Sequence, residues 1–158
     1  MPEFIPKTLA ALANVRFFNW PGAGVTISET LGMTHAAVTP PGASIIHVGG
    51  QAGITAEGTV PSNLEDEITE AFSHIELSLR EAGLTGSRHD VWGCVFRINS
   101  YHANTDETFA PTFLRVFKAH VGQSRPIFTG VDVAKLLRPD VHFEMEVQAV
   151  LPKPAEAA

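Results

Sequence analysis

The sequence predicts an α+β domain: a mixed β-sheet with two helices packed on one face. Three observations carry that expectation. Leu64, Ile68, Phe72, Ile75, Leu79 and Ala82 recur at spacings of three and four, which lines them along one side of a helix. Phe109, Phe113, Val116 and Phe117 form a second such stripe. Val141, Phe143, Met145, Val147 and Ala149 instead alternate with His142, Glu144, Glu146 and Gln148, the period of a strand with one face on a core.

Residues 1–15 are Ala-rich and are expected to form an N-terminal extension, helical or extended, whose start is limited by Pro2 and Pro6. A single domain is expected over residues 16–152, followed by a flexible tail, 153–158. Arg16 to Trp20 reads as a short strand ended by Pro21-Gly22. Ala36 to Thr39 reads as a second strand running into Pro40-Pro41-Gly42, and Ser44 to Val48 as a strand that pairs with it. Gly49-Gly50-Gln51 follows, and two residues without Cβ suit either a bulge or a backbone that closely approaches a ligand.

Ser62-Asn63-Leu64-Glu65 has the form of a capping box with Ser62 as the cap. The helix it starts is expected to end at Gly83 and to expose an acidic outer face. Between Val91 and Tyr101, Cys94, Phe96 and Ile98 alternate with Val95, Arg97 and Asn99, which predicts a strand with Arg97 turned away from the core and Cys94 turned inward and inert. Thr108 to Val121 is the second helix, with Pro111 tolerated near its start and Gly122 as its stop. Arg125 to Val133 is a further strand. On the last strand Glu144, Glu146 and Gln148 share a polar sheet face that an assembly partner would cover.

Composition bounds the function. At 158 residues the chain can bury a core without disulfides, and its single cysteine, Cys94, fits a reducing, cytoplasmic setting. A net charge of −6 repels a phosphate backbone, which argues against nucleic-acid binding. No apolar run approaches the roughly 20 residues of a membrane span. The seven histidines form no HExxH pair or Cys/His cluster, so no metal site is expected.

Gly32 to Val38, Gly49-Gly50-Gln51, Glu81-Ala82-Gly83-Leu84, Arg125-Pro126 and Glu144-Met145-Glu146 together resemble the signature of the RidA/YjgF (endoribonuclease L-PSP) family from about Gly32 to Leu151. The resemblance implies a chorismate mutase-like fold and a homotrimer with three ligand clefts between neighbouring subunits. It also implies hydrolysis of reactive enamines or imines to keto acids and ammonia, without metal or organic cofactor. Acidic charge and the lack of a nuclease constellation give the endoribonuclease label no support.

Two positions depart from the pattern. Where the family's deaminases carry an arginine that grips the substrate carboxylate, this chain has Phe128, and where a tyrosine is common it has Thr34. Losing such a charge-assisted contact removes roughly 1.5–3 kcal/mol of binding, so standard 2-aminoacrylate deamination is expected to be weak or absent. The segments Arg97 to His102 and Arg125 to Thr129 are similar to an arginine-lacking branch common in fungi, some of whose members accompany secondary-metabolite pathways. A dedicated cyclisation, dehydration or isomerisation is therefore a further expectation.

Glu146 matches the family's cleft glutamate and is the candidate catalytic group, positioning water or shuttling a proton; the competing reading is a structural ion pair with Arg97. Arg97 itself could bind an anion in place of the missing arginine. Gly50 and Gln51 could offer amides to a carbonyl oxygen, Phe128 could shape an apolar or aromatic pocket, Thr34 and Thr129 are further candidates for substrate binding, and His35 and His102 are possible acid/base groups. Plain packing competes as an account of Phe128. Alternation places Phe128, Gly130 and Asp132 on one strand face, expected in a cleft with Glu144 and Glu146. The other functional class left open is a non-catalytic trimer that binds a small molecule or a protein.

Overall fold

The structure, a computed structural model, describes residues 13–153. The expected N-terminal extension (1–15) and tail (153–158) therefore fall mostly outside the described residues. The elements are β1 (Arg16–Phe18), α1 (Ala23–Leu31), β2 (Ala36–Val38), β3 (Ser44–Ala52), α2 (Leu64–Glu81), α3 (Arg88–Gly93), β4 (Val95–His102), α4 (Phe109–Val121), β5 (Ile127–Asp132) and β6 (Phe143–Leu151). Four strands form a mixed sheet in the order β3-β6-β4-β5, with β4 and β5 parallel and joined by the α4 crossover. The two expected helices are α2 and α4, and the short α1 and α3 are additions.

The expected pairing of the third strand with the second does not occur. β2 pairs with β1 in a separate two-stranded ribbon, and β3 pairs with β6 from Ser44 opposite Leu151 to Ala52 opposite Glu144. Three-residue β2 is too short to cover Ile45, Ile46 and Val48, whereas nine-residue β6 runs through the core beside them.

In α2, Ile68, Phe72, Ile75 and Leu79 are wholly buried, each stabilising the fold by about 1.5–3 kcal/mol. The cap is Asn63 rather than Ser62: its side chain accepts from the amides of Glu65 at 2.8 Å and Asp66 at 3.4 Å. Leu64 already packs against the core, which makes it the first helical residue and gives the cap to its neighbour. The outer face of α2 is not uniformly exposed either. Glu67 is 1% exposed, and its carboxylate accepts the backbone amides of His142 at 2.6 Å and Phe143 at 3.2 Å, with His142 Nδ1 at 2.9 Å. Those amides sit where β6 begins, so the carboxylate supplies them with an acceptor.

The strand expected from Val91 starts at Val95, because Ser87 and Asp90 form a capping box that begins α3. A bulge between Val95 and Arg97 then breaks the alternation. Val95 and Ile98 both face the core, while Phe96 is only partly buried, so Phe96 and Val95 exchange the roles expected of them. Arg97 still points outward. Along β6 the expected alternation holds, with Phe143, Met145, Val147 and Ala149 all at 2% exposure or less.

Candidate functional site

Strand register decides which polar side chains meet on the open face of the sheet. Glu146 lies opposite Asn99, which lies opposite Thr129 on β5; Gln148 lies opposite both Arg97 and His47. Glu146 Oε1 accepts from Asn99 Nδ2 at 2.8 Å and from the Tyr101 hydroxyl at 3.3 Å. Partial desolvation and the neighbouring Glu146 charge hold the Tyr101 phenol above its ordinary value, keeping it a donor at neutral pH. Arg97 and Glu146 line the same shallow cavity of about 160 Å³ with His47, Gly49 and Asn99. No ion pair joins them among the described residues, so the structural-pair reading of Glu146 is replaced by the Asn99 and Tyr101 bonds.

Gly49-Gly50-Gln51 occupies a register slip between Val48 and Gln51, so the bulge is real. A Cβ on Gly50 would collide with the Glu144 carboxylate, which leans over this glycine. Gly50 and Gln51 border a second cavity of about 380 Å³ with His74, Leu137 and Glu144. Gln51 Nε2 donates to the Gly49 carbonyl at 3.3 Å.

Phe128 is placed differently from expectation. It does share a strand face with Gly130 and Asp132, but that face lies under the helices, because parallel register sets Phe128 opposite the core residue Ile98. Its ring packs 5.3 Å from Phe113 and 6.1 Å from Phe117. Within one chain the sheet therefore separates Phe128 from Glu144 and Glu146. Phe128 still reaches open space, as a wall of a cavity of about 340 Å³ between α4 and β5 with Phe109, Phe113, His102, Gly130 and Asp132. Packing and pocket-shaping are thus both observed for this residue.

The remaining candidates scatter. Thr34 is buried and ties its segment to β5, its amide bonding the Pro126 carbonyl at 3.1 Å and its hydroxyl the Arg125 carbonyl at 2.7 Å. It borders a cavity of about 660 Å³ with Phe17, His89, Gln123 and Arg125, away from Glu146. His35 is on the surface, 3.0 Å from Asn19 Oδ1 and edge-on to Trp20. His102 is buried at the Phe128 cavity, 2.7 Å from Ser100 Oγ and 3.4 Å from Asp132 Oδ1. Burial holds its imidazole below the ordinary range against the upward pull of Asp132. Burial also pushes the Cys94 thiol up to about 12, leaving it protonated and unreactive.

The sequence carries no local signal for these roles of Asn99, Tyr101, Ser100 and Asp132. Their alternation was readable, but the cross-strand register that joins them to Glu146 or His102 was not. Among the described residues no group of three or more His, Cys, Asp or Glu side chains could hold a metal ion, and no helix is long and apolar enough to cross a membrane.

A mixed sheet with helices on one face, a bulged Gly-Gly-Gln strand and a carboxylate on the open face together define a Rid-type α+β domain. The endoribonuclease L-PSP family model matches residues 34–151, and the chain belongs to that family, the RidA/YjgF group. Its fold is similar to the Rid-family protein YyfB of Yersinia pestis, itself described as of unknown function, with 23% identity, 87% of this chain and 99% of that chain covered, and a TM-score of 0.73. It is also similar to E. coli TdcF with bound serine, at 22% identity over 71% and 84% of the two chains and a TM-score of 0.57. RidA from an Antarctic Psychrobacter matches at 22% identity, 69% and 85% coverage and a TM-score of 0.58. No curated protein sequence matches the chain. Membership of the family supports a general role in processing or binding small molecules.

Proposed function

We propose that the protein is a homotrimeric RidA-like enzyme that hydrolyses an imine or enamine less polar than the usual amino-acid-derived ones. The observation that carries this reading is the seat of Phe128: the family's arginine position is folded into an aromatic wall with Phe113 and Phe117. Among the described residues that line the cavity it borders, none brings a guanidinium to grip a carboxylate. Because the sheet separates Phe128 from Glu146 within one chain, a cleft using both takes Phe128 from one subunit and Glu146 from the next.

Asn99 and Tyr101 bond to Glu146 Oε1, leaving Oε2 to accept a proton from water. That water adds to the carbon of the protonated imine, Glu146 returns the proton to the carbinolamine nitrogen, and the C–N bond breaks as the Glu146 carboxylate takes the hydroxyl proton, giving a carbonyl and ammonia. The Tyr101 hydroxyl and the Asn99 amide fix the carboxylate while its proton comes and goes.

Ammonia release tests the reading. 2-Aminoacrylate should turn over far more slowly than an enamine bearing an aliphatic or aromatic group, and Glu146→Gln should cut the faster rate by about 100-fold or more while the protein stays folded and trimeric by light scattering. Turnover of 2-aminoacrylate as fast as in arginine-bearing relatives would sink it.

A further inference from the structure

The cavity between α4 and β5 has an unusual balance of charge. Its walls are Met33, Phe109, Phe113, Leu114 and Phe128, and its polar border is Asp132, Asp106, Thr105 and His102. Among the described residues, no lysine or arginine lines it. Bonding to the Thr108 hydroxyl and amide keeps the Asp106 carboxyl below its ordinary value, and burial disfavours protonated His102. The border is therefore negative at neutral pH, over an aromatic floor.

Asp132 is the carboxylate available to a ligand. Asp106 already accepts the amide and hydroxyl of Thr108 at 2.8 and 2.6 Å, which anchors the start of α4. The Asp132 side chain is 78% exposed. Its Oδ1 lies 3.4 Å from His102 Nδ1 and 3.5 Å from Thr105 Oγ1. Behind His102, Ser100 Oγ lies 2.7 Å from Nε2. With the ring proton on Nδ1, Ser100 donates to His102 Nε2 while Nδ1 lies 3.4 Å from the Asp132 carboxylate, so the buried pair sets a polar N–H beside that carboxylate. The order is the reverse of what a serine nucleophile needs: Ser100 is at the closed end with no exposure, and Asp132 is at the open end. Gly130 keeps the passage clear, since a Cβ there would meet both the Phe128 and His102 rings at 3.0–3.1 Å.

We propose that this cavity binds a small organic cation with an apolar body, a protonated imine or amine, its N–H groups received by Asp132 and its hydrocarbon packed on Phe109, Phe113 and Phe128. Aromatic faces also attract a cation directly. The proposal rests on the reading of the Phe128 cavity as the substrate side of the enzyme, and it names what that side selects: positive charge, where the arginine-bearing relatives select a carboxylate. Asp132 is the binding residue; His102 and Ser100 are positioning residues.

Calorimetric titration of the full chain with 2-phenylethylammonium, 2-phenylethanol and 3-phenylpropionate tests it without requiring turnover. The cation should bind at least about tenfold tighter than the anion. Asp132→Asn should bring the cation within about twofold of the alcohol, Asp132→Glu should retain most of the preference, and His102→Gln should reduce it only in part. Equal binding of anion and cation, or a preference that survives Asp132→Asn, overturns the proposal. Thermal melts of each variant separate lost binding from lost folding. Cation preference without ammonia release from any imine would leave this inference standing and remove the hydrolase; ammonia release without cation preference would do the reverse.

Discussion

Along β6, consecutive side chains enter two different environments. Phe143, Met145 and Val147 are at 2% exposure or less and press on α2 and α4, with the Phe143 ring 5.7 Å from Phe113 and 6.3 Å from Phe72. Glu144, Glu146 and Gln148 stand between them, facing away from both helices among Arg97, Asn99 and Tyr101. The first face folds the chain by excluding water. The second holds the Glu146 carboxylate in a hydrogen-bonded pose, in a cavity that residues of β3, β4 and β6 line, an arrangement that contributes little to a lone subunit and suits contact with a ligand or another copy. The difference favours the proposed site: the proposed chemistry rests on residues that stability can spare.

The sharpest way to break that comparison is to truncate neighbours on opposite faces. Phe143→Ala should cost about 3–5 kcal/mol in urea unfolding, from lost transfer energy and the cavity left among Phe72, Phe109 and Phe113. Glu144→Ala, one residue away, should cost less than about 1 kcal/mol. Comparable losses would mean that the open face is also part of the folding core. Next in size is Glu67→Ala, which leaves the amides of His142 and Phe143 without their acceptor in a buried place. A loss of about 2–3 kcal/mol is expected, with hydrogen exchange accelerated at those two amides before the rest of β6.

These contrasts also show what a sequence can and cannot display. The stripes of α2 and α4 and the alternation of β6 are local periodicities, so their buried faces were legible residue by residue. Plain alternation gives Val95 and Phe96 the wrong faces because a bulge is a pairing event: it appears only when β4 is set against β6. Alternation groups Phe128 with Gly130 and Asp132 but does not tell which side of the sheet they take, since that side depends on the parallel register with Ile98. Glu67 looked like one more surface acid until a strand 75 residues later brought two amides to it. α1, Ala-Gly-Val-Thr-Ile-Ser-Glu-Thr-Leu, has β-branched residues and glycine where helix formers are usual, and six-residue α3 is too short for a period to show. The Ser87–Asp90 box was its one local sign.

Titration separates the faces by a smaller amount. His102 and His120 lie on the helix side, and burial holds both imidazoles below 6.5. His120 Nδ1 donates to the Val116 carbonyl at 2.9 Å, while its Nε2 has no hydrogen-bond partner among the described residues. In the unfolded chain both rings protonate at their ordinary pKa, so as pH falls below about 6.5 the unfolded state binds more protons and stability drops. Glu65, Glu76 and Asp90 are held below their ordinary values by hydrogen bonds and ion pairs, so they lose their contribution only at lower pH. Urea midpoints measured between pH 7 and 5 should fall, and His120→Leu should flatten that slope. An unchanged slope would assign the acid sensitivity elsewhere.

The smallest effect on folding is expected at Asn99, beside the core residue Ile98 and opposite Glu146. Asn99→Ala removes the 2.8 Å bond to Glu146 Oε1, but solvent can hydrate the half-exposed carboxylate, and the Tyr101 hydroxyl remains at 3.3 Å. The isolated subunit should change by no more than about 0.5 kcal/mol. In the proposed trimer, the loosened carboxylate should lower kcat by about tenfold or more with KM little changed, the pattern of a lost positioning contact. A variant that unfolds as readily as Phe143→Ala would place Asn99 with the core. One that keeps both stability and turnover would show that Glu146 needs no support from β4, and the case for it as the proton carrier would fall with that support.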